Sequence, residues 1–555
     1  MPTLHWLTRE TDLKTATNTP CRLLVEEENY SYGDPDSGNL IIQGDNLEAL
    51  KALLPFYAGQ VKCIYIDPPY NTGSRKNADG DDIGYDDNLE HSTWLSIMYP
   101  RLELLREFLR EDGFICCHIN DDEGAYLKVI MDEIFSRDNY ISTLFVQVRY
   151  AEKTLKQDMN FHKQIEQIHI YKKSCIAKPI LNKTKSNFDK FTFYFKEKKH
   201  GVETILGNKK VVIFQPDGYE IIEKDGSEDG RKEIWASGTI LDGNSSGRFF
   251  RDYLTGRYKI DGYGVLYKVY GIGDDKFDYR YFTGPKKHGA TKGKYYQGVP
   301  IEQINNPDEL KELPIENYLD FAADFGNCRS EGGVEFRSGK KPEVLLKYIL
   351  EHFSNENDYV LDSFLGSGTT AAVAHKMGRC YIGIEMGKQA QTHCCKRLEN
   401  VIAGDKSGIS EAVGWKGGGG FRFFKLGEAV FDSDGRIKSD IPFENLAAHI
   451  YFTETKVPMR RSKKKSAFLD IHNDTAYALL YNGILGDKSI GGGNVLTHNT
   501  LNHIMNDIDA ASKKKGEPLS YSALVIYGEA TRLTNVSLKS NNIIFKQTPY
   551  DIKVW

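Results

Sequence analysis

Two short stretches of this chain combine side chains and turns that could do chemistry. Residues 62 to 74, KCIYIDPPYNTGS, end an apolar run with Asp67, Pro68, Pro69 and Tyr70. Proline fixes its own φ and keeps the residue before it extended, so the Asp67 carboxylate and the Pro68 carbonyl can be aimed at one point. Two converging acceptors suit a planar amino group with two hydrogens, and Tyr70 offers a flat face on which a heterocycle stacks. Acceptors on both hydrogens favour a pyramidal nitrogen and free its lone pair for attack on an electrophile held in line. Such chemistry needs neither a metal nor a strong base. Taken alone, the same four residues also make a plain strand-ending turn.

The second stretch, DSFLGSGTT at 362 to 370, puts Gly366 and Gly368 where a strand turns into a helix. Glycine lets the backbone approach a ligand closely, and the helix start supplies amide donors. Glu385 ends the next strand, seventeen residues after Gly368. A carboxylate there can accept both hydroxyls of a ribose, which points to a nucleoside-containing cofactor. Thr369 and Thr370 after the second glycine depart from the spacing of dinucleotide enzymes, although a nicotinamide-dependent oxidoreductase would still fit these residues. That alternative leaves DPPY without a use.

The elements needed to position these groups are legible as periodicity. NLIIQGD, NLEALKALLPFYAG and VKCIYIDPPY read as strand, helix and buried strand over 39 to 70. A helix follows, with Ser92 as its cap, Leu95, Met98, Leu102, Leu105 and Leu109 as its apolar stripe and Gly113 as its stop. FICCHIN reads as another buried strand, and a helix spans 122 to 135. Alternation of this kind predicts an α/β fold, a mostly parallel sheet with helices on both faces. From about 181 to 330 the texture changes to Lys-, Gly- and Tyr-rich segments, which reads as an α+β insertion. The α/β pattern resumes at 331 and continues to 429. Residues 1–38 then form an N-terminal extension and 430–555 a mixed C-terminal domain with no role visible in its pattern.

With 555 residues, the chain exceeds what one hydrophobic core usually supports. Its 40% hydrophobic content is ample for globular cores, and no apolar run approaches membrane-spanning length. The first twenty residues lack a secretory pattern, so a cytoplasmic location is expected. Nine cysteines without a CxxC suggest neither a disulfide framework nor a zinc site, and no metal is expected. Net charge is −5, yet GPKKHGATKGKYY (284 to 296) and MRRSKKKS (459 to 466) concentrate cations. Phosphate attraction acts over about a Debye length, so local charge outweighs the total. Lys286, Lys287, Lys292, Lys294 and Arg75 are the candidate nucleic-acid contacts.

Together, DPPY before an insertion and FLGSG after it resemble the β class of DNA amino-methyltransferases. More narrowly the chain resembles the modification subunits of type III restriction systems, through HSTWLSIMYPRLELLREFLREDGFICCHINDDE, EQIHIYKK, YRYFTGPKKHGATKGKYYQGVP, GGGGFRFFKL and IIFKQTPYDIKVW. The resemblance implies a Rossmann-like methyltransferase sheet built from two sequence blocks, with S-adenosylmethionine as cofactor. It implies that Asp67, Pro68, Pro69 and Tyr70 hold a flipped adenine, and that residues 181–330 read the flanking duplex DNA. Asp362, Phe364, Gly366, Gly368 and Thr369 would line the cofactor, Glu385 its ribose and Asp45 its adenine, while Lys341 and Pro342 would lie near its carboxylate. The implied activity is site-specific N6-adenine methylation, with a homodimer and a separate restriction subunit as implied partners, since the chain has no GxxxxGK[ST] loop. N4-cytosine methylation, RNA or protein-glutamine methylation, and a non-catalytic DNA-reading subunit remain the other readings.

Overall fold

The structure, a computed structural model, describes residues 3–72, 90–152, 160–185, 187–236, 245–290, 292–305, 310–336, 339–431, 437–438, 441–459, 466–481, 493–515 and 518–548. For 74–76 and 82–87 it describes the chain path alone. The chain divides into two compact units, Leu181–Ile315 and the remainder.

The larger unit is organised by one mixed sheet. Its strands are β1 (Arg22–Glu26), β2 (Leu40–Gln43), β3 (Val61–Ile66), β4 (Leu109–Ile119), β5 (Tyr140–Gln147), β6 (Ile165–Lys172), β7 (Tyr318–Asp320), β8 (Tyr359–Asp362), β9 (Cys380–Glu385) and β10 (Gly420–Ala429). They lie in the order β1-β10-β2-β9-β8-β3-β4-β6-β5-β7. The run from β10 to β4 is parallel throughout, β6 is antiparallel to both its neighbours, and β1 closes the far edge antiparallel to β10. This is the Rossmann-like α/β sheet expected, assembled from two sequence blocks.

Helices cover both faces because the buried strands send alternate residues to opposite sides. Ile42, Ile64, Ile66 and Ile115 pack with Leu50 and Leu53 of α1 (Asn46–Tyr57), Leu102 and Leu105 of α2 (His91–Phe108) and Ile130 of α3 (Gly124–Phe135). Ile41, Cys63, Tyr65 and Cys116 pack on the other side, against Leu346 and Ile349 of α4 (Glu343–Phe353), Val373 of α5 (Thr369–Lys376) and Leu398 of α6 (Lys396–Ile402).

Three sequence boundaries move. The helix expected to run to Gly113 ends at Phe108, and its cap residue is Glu90 rather than Ser92. Leu109 already pairs with Val61, and residues 110–113 bulge out before Phe114 meets Cys63. The bulge is held by charge, with Lys62 Nζ 2.9 Å and Arg110 Nε 2.6 Å from Asp112. Gly113 is needed there because a Cβ would lie 3.0 Å from the Val61 carbonyl oxygen. The insertion ends at Ile315 rather than 330, since Tyr318–Asp320 is already a strand of the large sheet, parallel to β5. Residues 22 to 33, assigned to an N-terminal extension, contribute β1 and the short strand Tyr32–Gly33, both paired with β10.

The smaller unit is built on an eight-stranded antiparallel sheet. One face packs on Phe249, Phe250 and Leu254, and the other carries the aromatic stack of Phe195 on Tyr281 at 4.1 Å. Residues 443 to 547 add a helix, Phe443–Thr455, and a separate four-stranded sheet. No described helix is long and apolar enough to cross a membrane.

Beneath the Gly-rich turn, α4, α5 and α6 are tied by charges with no solvent exposure. Glu343 accepts from Lys376 at 2.9 Å and from Arg397 at 2.8 Å, and Lys376 also reaches Asp405 at 2.8 Å. Burial works to raise the Glu343 carboxyl, but the two cations hold it below its usual value. Removing one member of such a set strands the others without a counter-charge. Glu343→Leu should therefore lose about 3 kcal/mol of stability or more in chemical denaturation; a loss within error would show that these contacts do not hold the layer together.

Candidate active site

The two chemical stretches leave the sheet side by side. β8 lies between β3 and β9, with Leu361 opposite Ile64 and Asp362 opposite Gly383. Asp67 to Tyr70 and Phe364 to Gly368 therefore emerge from adjacent parallel strands at their carboxyl ends, where open α/β sheets bind ligands.

The Gly-rich turn is held from both sides. Gly366 and Gly368 have φ of +57° and +81°. A Cβ on Gly368 would lie 3.2 Å from the Cα of Cys394, so that glycine serves packing. A Cβ on Gly366 would meet only the Phe364 carbonyl oxygen at 3.9 Å, so there the open side of the turn is left clear. The Gly366 amide donates to Glu385 Oε2 at 2.8 Å and the Gly387 amide to Oε1 at 2.9 Å. Burial pushes the Glu385 carboxyl up, against the pull of these amides. A carboxylate offers about four acceptor positions, and the turn amides take only part of them, which leaves capacity for a further donor such as a ribose hydroxyl. The residues present thus fit a ribose-bearing cofactor.

Several residues expected on the cofactor make bonds within the protein. Asp362 receives Thr370 Oγ1 at 2.6 Å and the Phe364 amide at 2.9 Å, and shapes the turn from within. Thr369 Oγ1 accepts from Arg397 at 2.7 Å and is 5% exposed. Asp45 caps α1, accepting from the amides of Leu47 (2.9 Å) and Glu48 (3.2 Å), and its other oxygen takes Arg101 at 2.8 Å. Lys341 lies on Asp67, at 2.7 Å, and Pro342 precedes the first turn of α4. Phe364 is partly buried against the core under the turn.

Around DPPY a second group of side chains converges. Trp94, 1% exposed, donates to the Pro69 carbonyl at 2.8 Å and holds the proline turn against α2. Tyr70 donates to Glu166 Oε2 at 3.1 Å. His118 Nε2 lies 2.9 Å from the same oxygen, and its Nδ1 is 2.7 Å from the Tyr65 hydroxyl. Burial opposes ionisation of Glu166, but Lys341, His118 and Tyr70 outweigh it and bring the carboxyl down to about 2. Burial beside Asp67 and Glu166 pushes the Tyr70 phenol well up, so the ring stays neutral. Asp67 Oδ1 is buried and, among the described residues, accepts no hydrogen bond. An amine bearing hydrogens would satisfy it.

Glu166, His118 and Trp94 were not singled out from sequence, although EQIHIYKK, FICCHIN and HSTWLS contain them. His118 and Glu166 meet because β4 and β6 pair antiparallel, with His118 opposite Ile168. No local pattern signals that pairing.

In the smaller unit Lys286, Lys287, Lys292 and Lys294 line a cavity of about 680 Å³ together with Trp235. Lys294 is paired with Glu233 and lies 4.7 Å over the Trp235 ring. The side chain of Arg75 and most of the 459–466 run lie outside the described residues.

Burial raises the Asp362 carboxyl from 3.8 to about 7. The native protein then keeps a proton that the unfolded chain has lost, so this contribution to stability is full below pH 4 and falls as pH rises to about 7. The stability of the wild type relative to Asp362→Asn should decline across that window and level off above it. Chemical denaturation at a series of pH values would show it, and a flat difference would place the proton elsewhere.

Comparison with known proteins gives a consistent neighbourhood. A family model described as DNA methylase matches residues 61–394. The probable type III restriction-modification enzyme HindVI Mod subunit of Haemophilus influenzae is 33% identical over 72% of this chain and 55% of its own length. The EcoPI Mod subunit of Escherichia phage P1 is 28% identical over 67% of this chain and 60% of its own. The EcoP15I Mod subunit of Escherichia coli is 29% identical over 66% and 61%. The chain thus spans somewhat over half the length of these relatives.

Proposed function

Because the chain belongs to the DNA methylase family, we propose that it transfers a methyl group from S-adenosylmethionine to the N6 amine of an adenine in duplex DNA, as the modification subunit of a type III restriction-modification system. The observation that carries this reading is the pairing of β3 with β8, which sets Asp67–Tyr70 beside the Gly-rich turn. The relatives' Mod subunit names support the system assignment. Duplex DNA is the substrate, and a second copy of the chain and a separate restriction subunit are the expected partners.

When bound, S-adenosylmethionine supplies an electrophilic methyl group on a sulfonium. The clear side of Gly366 and the remaining acceptor capacity of Glu385 would hold it. The target base must leave the duplex to reach such a site, at a cost of a few kcal/mol, and stacking repays part of that cost. Tyr70 gives the stacking face, kept neutral and oriented by its bond to Glu166. Asp67 and the Pro68 carbonyl accept the amine hydrogens, raise the availability of the nitrogen lone pair, and stabilise the positive charge that grows there during transfer. Asp67 accepts the departing proton or passes it to water. In the smaller unit Lys286, Lys287 and Lys292 would contact phosphate around a groove-reading surface.

Modification-sensitive sequencing of DNA from a methylation-free host expressing the chain should show N6-methyladenine at one recognition sequence. N4-methylcytosine alone would establish the cytosine reading, and unmodified DNA would overturn the activity. Asp67→Ala should lower tritiated methyl transfer by about 100-fold or more while the fold is kept. Gly366→Leu should lose affinity for S-adenosylmethionine in titration calorimetry with the fold intact; an unchanged affinity would remove the turn from the cofactor site.

A further inference from the structure

Lys341 lies on the carboxylate, and over the ring, between which the proposed function places the target amine. Its ammonium lies 2.7 Å from Asp67 Oδ2 and 4.9 Å over the centroid of the Tyr70 ring. Its side chain is 8% exposed, and that of Asp67 is 19%. A nitrogen donating to the DPPY carboxylate above the DPPY ring is the chemical likeness of a base amino group. A heterocycle stacked on Tyr70 and a cation over the same ring compete for one volume beside one carboxylate, the cation on Oδ2 and, next to it, the Oδ1 left free among the described residues.

Glu166 Oε2 lies 4.0 Å from the same ammonium, so a short swing of the lysine end would carry it from one carboxylate to the other. Glu166 accepts from Tyr70, lies 2.9 Å from His118 Nε2 and, beside Lys341, has its carboxyl brought down to about 2. With neither lysine nor base present, Asp67 and Glu166 would face each other as poorly solvated anions, an arrangement that is costly without a counter-charge.

We propose that Lys341 is a placeholder for the target base: it fills the amine position while no base is bound, and the entering base displaces its ammonium from Asp67 onto Glu166. This rests on the methylase reading above and adds a positioning residue to it. The exchange keeps the carboxylates compensated in both states. It also removes a cation from Asp67 before positive charge develops on the attacking nitrogen, where the two would repel.

A site that must first be vacated binds its ligand more weakly by the fraction of time it stands open. Lys341→Met keeps the length of the side chain and removes the competitor. Lys341→Arg keeps the charge and grips the carboxylate through two N–H groups. With tritiated S-adenosylmethionine and a duplex carrying the mapped site, KM for DNA should fall about fivefold in Lys341→Met and rise by a similar factor in Lys341→Arg, while kcat does not increase in either. The effect of Glu166→Gln on KM should shrink when Lys341→Met is also present.

A lysine that only braces Asp67 predicts the reverse order, with Arg close to wild type and Met impaired; that order overturns the proposal. If Lys341→Met does not fold, by circular dichroism, Lys341→Arg decides alone, and a KM equal to wild type counts against displacement. Absence of transfer by the wild type overturns the methylase reading itself, and so is distinct from transfer with the reversed order.

Discussion

The hydrogen-bonded pairing of β3 with β8 is the constraint on which the rest of this structure depends. The strands come from opposite sides of the insertion, and their parallel alignment gives both turns the same exit edge. A parallel neighbour cannot be supplied by a short turn, so the chain must cross over before it returns. Here the return is delayed by β4 to β7 and by the whole smaller unit. The DPPY turn and the Gly-rich turn are thereby held on one rigid frame, while a long excursion between them is tolerated. Loop-closure entropy grows only slowly with length, which makes such an insertion thermodynamically affordable.

At that edge the sheet gathers carboxyl groups, and the environment gives each a separate behaviour. Asp67 is compensated by Lys341. Glu166, held by cation and donors, ionises easily and reaches about 2. Asp362 is buried with two short donors and no cation, and rises to about 7. Glu385 is compensated by backbone amides of the turns it supports. Four acidic side chains within one edge would repel one another if all were alike. Their division into a cation-paired, a network-held, a proton-retaining and an amide-held group lets them coexist, and leaves Asp67 with Lys341 as its close partner.

The fold and the two central motifs were legible in sequence because both depend on local order. Short, almost continuously apolar runs in β3 and β8, helical spacing in α1 and α2, and turn residues at their ends are features of neighbouring positions. Glu166 and His118 were not legible, since their roles arise from the antiparallel pairing of β4 with β6. Asp45 illustrates a position that local order leaves ambiguous. Its position after a strand suits a ligand contact and an N-cap equally, and the geometry of α1 with Arg101 uses it as a cap. The helix expected to reach Gly113 fails for a similar reason, as Leu109 gains a strand partner in Val61 that helical periodicity does not reveal.

Residue order by itself determined that there would be an α/β sheet, a DPPY turn at a strand end, a glycine-rich turn with an acidic partner, and a different texture between them. Each of these is written in a few adjacent residues, because steric limits on proline and glycine and the periods of strands and helices act locally. Only the tertiary structure decided that the turns share an edge, that Asp362, Thr369 and Asp45 bond to Thr370, Arg397 and Arg101, and that Lys341 rests on Asp67 within reach of Glu166. Those outcomes depend on distances between residues far apart in the chain, and such distances are set by strand pairing and by the need to give every buried charge a partner.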